Sequence, residues 1–408
     1  MHVLDILKDR GYIAQITHED EIRQLLDQGS VTFYTGFDPT AESLHIGHMI
    51  PLMVMAHLQR SGHRPIVILG GGTGMIGDPS GRTDMRRFLD RKSIQHNVDR
   101  FREQASILID FSDDKALMMD NAEWILPLNY VDFIRDIGAH FSVNRMLAAE
   151  CYKNRLEAGL TFLEFNYMLL QANDFLYLHD HYNCQLQMGG DDQWSNILAG
   201  MDLIRRKRSH EAYGFTLNLL TNSNGVKMGK TQKGALWLDE AKCSVYDFYQ
   251  YFRNVEDPDV TKCMKLLTFM SMEEIAPYEK MEGAELNEAK KRLAYEVTAV
   301  VHGKEKAREA ATRAEAVYGA KTASADDMPG SEISGDDIGR PLLDLLLEAG
   351  LIKSKGEGRR LMEQGGLRLN DEPVTDYARA LQSSDLKDGS AVIRKGKKVY
   401  HALRMTKA

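Results

Sequence analysis

The sequence lacks any stretch able to serve as a membrane helix: no window approaches the roughly 20 consecutive apolar residues that such a helix needs. Cysteine is scarce. Cys151, Cys184, Cys243 and Cys263 contain no C-x-x-C pair, which argues against a disulfide scaffold or a thiolate metal centre and fits free thiols in a reducing compartment. There is no excess of positive charge either. Fifty-one Lys and Arg stand against 59 Asp and Glu, a formal net charge of −8, so any nucleic-acid contact must be local rather than global. The first residues, MHVLDILKDRGY, are acidic and amphipathic and hold no signal-peptide core. The cytoplasm is therefore the expected compartment, with no membrane partner. What the sequence does have is 43% hydrophobic and 27% charged residues over 408 positions, enough for a large core divided among two or three domains.

The informative stretch is 31–51. Val31 to Phe37 reads as a short strand, Asp38-Pro39-Thr40 breaks it, and a helix begins near Leu44, carries His45-Ile46-Gly47-His48, and stops near residue 60 at Ser61-Gly62. A strand running into a helix N-terminus directs free backbone N–H groups and the positive end of the helix dipole at whatever anion lies there. His45 and His48 are three apart and share a helix face. Gly47 between them permits close approach of a ring or backbone. Far downstream a second strand-like run, Phe215 to Leu220, is followed by a turn-rich loop and by Lys227-Met228-Gly229-Lys230-Thr231.

This pairing of HIGH with a later K-x-G-K-T loop resembles the class I aminoacyl-tRNA synthetases, and among them the bacterial tyrosyl-tRNA synthetase family, over essentially the whole chain. The resemblance implies an α/β fold: a Rossmann-like parallel-sheet catalytic domain with its site at the strands' C-terminal ends, then an α-helical domain and a small α+β RNA-binding domain. It implies activation of tyrosine with ATP and transfer to tRNA(Tyr). Magnesium would arrive with ATP, and no protein-bound metal is expected.

Several further segments fill in that site. Pro65 to Leu69 predicts a buried strand, followed by a glycine-rich run from Gly70 in which residues 72–77 fit G-x-G-x-x-G. A dinucleotide fingerprint is set aside, because Pro79 interrupts the helix that should follow and no acidic residue ends a strand about 20 positions on. The resemblance instead puts Asp78 at the amino acid's ammonium group and Arg82 and Arg86 near the ATP phosphates; the family often has lysine at position 82. Residues 83–150 read as mainly helical around a strand ending at Asp120, after which Asn121 and Trp124 match positions beside the amino-acid pocket. Near Phe162 the family forms its dimer interface, so a homodimer is implied.

In the helix around 163–178, Tyr167, Gln171 and Asp174 lie at i, i+4 and i+7 amid apolar residues, one polar stripe of the kind that lines a pocket. By resemblance, Tyr167 and Gln171 join Asp78 around the ammonium, and Asp174 and Tyr34 meet the phenol oxygen, one accepting and one donating. That polar pair favours tyrosine over tryptophan, the rival substrate within the class. Cys184 to Gly190 predicts a strand ending in paired glycines and an acidic helix cap. Gly190 and Asp192 match the nucleoside site, and Gln187 and Gln193 the aminoacyl carboxylate and carbonyl. Thr35, Gly36, Asp38, Thr40, His45, Gly47 and His48 complete the ATP side, with Lys227, Lys230 and Thr231 on the mobile loop. Thr35 departs from the cysteine common there in the family. Arg205 to Arg208 end a helix as ordinary dipole partners, with tRNA contact as the minor alternative.

Residues 1–30 predict two short helices separated by Gly11 and Thr17, Thr17 capping the second. The expected division is a catalytic domain with a dimer-interface insertion over 1–226, the loop and an anticodon-facing helical domain over 227–320, a linker over 321–340, and an RNA-binding domain over 341–408. The charge reverses at the last boundary: residues 341–408 carry a net +4, which leaves −12 for residues 1–340. Lys353, Lys355, Arg359 and Arg360 open a helix there, placed to meet phosphates.

Overall fold

The computed structural model describes residues 1–80, 90–231, 234–319, 328, 330–396 and 399–406. It divides into two compact units, Met1–Ala307 and Arg308–Ala408.

The first unit is built on a six-stranded sheet: β1 (Ile13–Ile16), β2 (Thr32–Phe37), β3 (Arg64–Leu69), β4 (Leu117–Asp120), β5 (Cys184–Gly190) and β6 (Tyr213–Leu217). Its order is β1-β6-β5-β2-β3-β4. Strands β2 to β6 are parallel, and β1 pairs antiparallel at one edge. Parallel strands covered on both faces need apolar residues on both sides, which is why Pro65 to Leu69 is an unbroken buried run. From β2 the chain moves one way to β3 and β4, and later the other way to β5 and β6. The loops leaving β2 and β5 therefore diverge, and a crevice opens between their C-terminal ends. In register, Tyr34 of β2 stands beside Gln187 of β5 and Ile66 of β3. Beyond the sheet, helices Val245–Arg253, Val260–Leu267 and Leu286–His302 form the expected helical segment. Among the described residues no helix is long and apolar enough to cross a membrane.

Four local expectations need correction. Strand β1 lies between the two N-terminal helices, Val3–Asp9 and Glu19–Asp27; four residues of weak pattern become a strand only because β6 supplies the ladder. Thr17 does not cap the second helix, whose N-cap is His18; its hydroxyl accepts the Gly214 N–H instead. Strand β6 begins earlier and ends at Leu217 rather than Leu220. The acidic pair after β5 is not a helix cap: Gln193 holds the N-cap position, and Asp191 accepts hydrogen bonds from Gln15 and Thr216.

The second unit packs helices Leu342–Glu348 and Lys355–Glu363 with a five-stranded sheet around a core including Leu342, Leu346, Leu367, Ile393 and Leu403. One strand, Gly330–Ile333, falls inside the stretch expected as a linker and pairs in parallel with Val399–Met405. Its four residues show no alternation, and its partner is about seventy residues away. Lys353, Lys355, Arg359 and Arg360 are all exposed. Lys355 pairs with Asp344.

Candidate active site

The two signatures are physically joined. His45 is not inside the helix Ile46–Arg60 but its N-cap, with extended backbone. Its Nδ1 accepts the Gly47 N–H at 3.1 Å, and His48 Nδ1 accepts the His45 N–H at 3.1 Å. This reciprocal cap satisfies donors that the helix start leaves open and stacks the two rings 3.9 Å apart. Gly47 is required by that stacking, since a Cβ there would sit 2.9 Å from the His45 ring. Burial, and to a lesser degree the Lys227 cation, lowers the His45 pKa. The chain after the lysine loop lies against this cap: Ile46 N–H donates to Leu236 O (3.0 Å), and Leu238 N–H to Leu44 O (2.9 Å).

A cleft of about 420 Å³ runs from His45 and His48, past the ends of β2 and β5, to the helix Tyr167–Tyr182, a volume suited to small ligands. At its deep end Tyr34 and Asp174 are both buried. Asp174 accepts from Asn121 Nδ2 (2.9 Å) and Trp124 Nε1 (2.7 Å). Asn121 is itself fixed: Gly72 N–H donates to its Oδ1, and its Nδ2 also reaches Thr73 Oγ1. Trp124 stacks on Tyr177 with ring centroids 4.3 Å apart. Burial outweighs these two donors and raises the Asp174 pKa to about 7. Burial, with the nearby Asp174, also raises that of Tyr34. Among the described residues Tyr34 Oη, Gln171 Oε1 and Gln187 Oε1 have no hydrogen-bond partner, and all three residues line this cleft. Buried polar atoms left open in this way are costly, so their convergence marks a place built for a polar ligand.

In the middle of the cleft the Tyr167 hydroxyl donates to Asp38 Oδ2 at 3.1 Å, and Thr73 Oγ1 donates to Asp38 Oδ1 at 3.0 Å; Tyr167, Gln171 and Asp78, expected together around the ammonium, line the same cleft. Asp38, expected on the ATP side, thus meets the tyrosine-side helix, because it is the first residue past β2 at the sheet's switch point. Asp78 accepts from Ser80 N–H (2.9 Å) and Gln193 Nε2 (2.7 Å). Thr35 is buried with its hydroxyl donating to Met188 O at 3.2 Å rather than standing free. The glycine run packs against the end of β4, Gly71 N–H donating to Asp120 Oδ1, as glycines for close packing should.

At the open end Gly36, Thr40, Gly47, Gly190, Asp192 and Lys227 line the cleft. Lys230 and Thr231 form a short strand pair with Gly234–Ala235; their side chains, and Arg82 and Arg86 entirely, lie outside the described residues. Arg205 to Arg208 are taken up by Asp202, Asp136 and Asp180, as helix-end cations usually are. Thr73 escaped the sequence reading: one hydroxyl within a glycine run carries no periodic signal. Among the described residues no group of three or more His, Cys, Asp or Glu could hold a metal ion.

A family model described as "tRNA synthetases class I (W and Y)" matches residues 26–319. One described as "Tyrosine--tRNA ligase SYY-like C-terminal domain" matches residues 320–403. The chain is 58% identical to a tyrosine–tRNA ligase of Acetivibrio thermocellus over 99% of each chain, and 56% identical to one of Clostridium botulinum over 99% of each. Among solved structures it is similar to a C-terminally truncated mitochondrial tyrosyl-tRNA synthetase of Aspergillus nidulans, with a TM-score of 0.69 at 28% identity, covering 78% of this chain and 94% of that one. With both of its units matched, the chain belongs to the tyrosine–tRNA ligase family of the class I tRNA synthetases.

Proposed function

We propose that the cleft activates L-tyrosine with ATP, releasing pyrophosphate, and passes the tyrosyl group to the 3′ end of tRNA(Tyr). The observation that carries this reading is the deep end of the cleft, where an unpartnered Tyr34 hydroxyl and a clamped Asp174 carboxylate lie together. A phenol O–H donates one hydrogen bond and accepts others; Asp174 accepts from it and Tyr34 donates to it. Asp78, Tyr167 and Gln171 take the ammonium end, Asp38 linking Tyr167 to Thr73, while Gln187 and Gln193 take the carboxylate and carbonyl. Asn121 and Trp124 act through Asp174.

Adenylation needs no general base. The substrate carboxylate is already ionised and attacks the α-phosphate, so the barrier falls by positioning and by neutralising the charge that builds on pyrophosphate. Thr40 and His45 meet the phosphates from the HIGH side. Lys227 and Lys230, with Thr231, meet them from the lysine loop, and Arg82 and Arg86 add cations for the phosphates. His48, Gly47, Gly36, Thr35, Gly190 and Asp192 hold the nucleoside. Magnesium would come with ATP and help neutralise its phosphates.

The chain works in the cytoplasm as a homodimer. Exposed Tyr130, Val131, Val143, Leu147 and Phe162 support the second point, an apolar set of the kind that marks an interface. The exposed cations of the second unit support its use on tRNA phosphates. Since Gly330–Ile333 belongs to that unit's sheet, a clean truncation must fall before residue 328. Removing 328–408 leaves tyrosine-dependent pyrophosphate exchange within about twofold and lowers kcat/KM for tRNA charging by at least about tenfold, and charging by the parent falls more steeply with salt than charging by the truncated protein. Equal loss of both steps would overturn this division of labour.

A further inference from the structure

Gly229, the centre of the lysine loop, is held on three sides. Its backbone is left-handed, at φ 83°. Its N–H donates to Tyr251 Oη at 2.8 Å. Its carbonyl accepts from Leu236 N–H at 2.7 Å, and Leu236 O in turn accepts from Ile46 N–H, in the first turn of the HIGH helix. On its remaining side a Cβ would lie 2.2 Å from Ile46 Cγ2. One series of hydrogen bonds thus runs from a helical-domain tyrosine, through the loop, to the first helical residue after His45.

The anchor is firm. Tyr251 sits on the helix Val245–Arg253, whose start is capped by Ser244 Oγ accepting the Asp247 N–H. Tyr246, Phe248, Tyr249 and Phe252 of that helix are buried. Tyr251 itself is half-buried and, with Met228, Leu236 and Val255, lines a second hollow behind the loop. The loop's other end is tied by Met228 N–H donating to Leu220 O and by Lys262 Nζ donating to Thr221 O at 2.6 Å. In this arrangement Lys227 lines the active-site cleft.

We propose that Tyr251 is a positioning residue for adenylate formation: its phenol oxygen, by accepting the Gly229 N–H, holds the lysine loop where Lys227 faces the ATP phosphates. The proposal rests on the activity assigned above. Tyrosine–tRNA ligation needs the loop's cations only as charge develops on pyrophosphate, so losing the anchor affects kcat and spares tyrosine binding.

The test is Tyr251→Phe in the full-length protein, a change that removes one oxygen and keeps the ring. Tyrosine-dependent pyrophosphate exchange should lose about fivefold in kcat, the rate change that corresponds to one net hydrogen bond of about 1 kcal/mol. KM for tyrosine and the thermal midpoint should hold steady. Placed on Lys227→Ala, the same substitution should cost less than about twofold, because the residue acts through that lysine. An unchanged kcat, a fivefold loss repeated in full on Lys227→Ala, or a tyrosine KM rising in step with the loss would each overturn the proposal. Absence of exchange in the parent protein would count against the assigned reaction instead.

Discussion

Replacing Asp174 by alanine lowers kcat/KM for tyrosine activation by at least about a thousandfold. The carboxylate is the acceptor for two fixed donors, Asn121 Nδ2 and Trp124 Nε1, and for the substrate phenol. Truncation leaves the phenol buried without its charged acceptor, at about 1–3 kcal/mol, and frees the Asn121 and Trp124 side chains that shape the pocket's end, a misplacement that costs about a hundredfold by itself; about 4 kcal/mol in all is a thousandfold. The parent protein carries a second signature of the same group. Burial chiefly raises the Asp174 pKa from the usual carboxylate range to about 7. The ionised form accepts from the phenol, so protonation competes with tyrosine. KM for tyrosine should therefore be flat above pH 7 and rise as pH falls through it. Steady-state exchange kinetics between pH 5.5 and 8.5 check both points, and an Asp174→Ala protein with ordinary tyrosine KM would remove the pocket assignment.

Lys227→Ala has the second large effect, of a different kind. Lys227 is exposed and lines the cleft with His45 and Asp192. A preorganised cation that meets charge only as it forms contributes about a hundred- to a thousandfold to rate. The expected result is a kcat for adenylate formation lowered by that factor, with tyrosine KM within about twofold of the parent. Single-turnover adenylate formation measures it without product release intervening. A loss confined to KM would make the lysine a ground-state contact.

Some of the site could be read from the residues because it is periodic or punctuated. The stripe Tyr167, Gln171 and Asp174 follows helical spacing, and the breaks after Phe37 and around the paired glycines of 189–190 mark strand ends. These features depend only on neighbours in sequence. What could not be read depends on partners brought together by the sheet. The bond from Tyr167 to Asp38 joins residues 129 apart, and Asn121 meets Asp174 across 53. His45 was expected on a helix face with His48, yet it is the cap, because an imidazole can do what serine usually does at that position. Strands Ile13–Ile16 and Gly330–Ile333 are four residues each, too short for alternation to register, and exist because a neighbouring strand offers them a ladder.

The measurement that bears most directly on the central claim is exchange of labelled pyrophosphate into ATP, without tRNA, in the presence of each of the twenty amino acids in turn. The arrangement of Tyr34 and Asp174 at the end of the cleft predicts strong exchange with tyrosine and none above background with phenylalanine or tryptophan. Exchange driven by tryptophan, or by phenylalanine as well as by tyrosine, would contradict it.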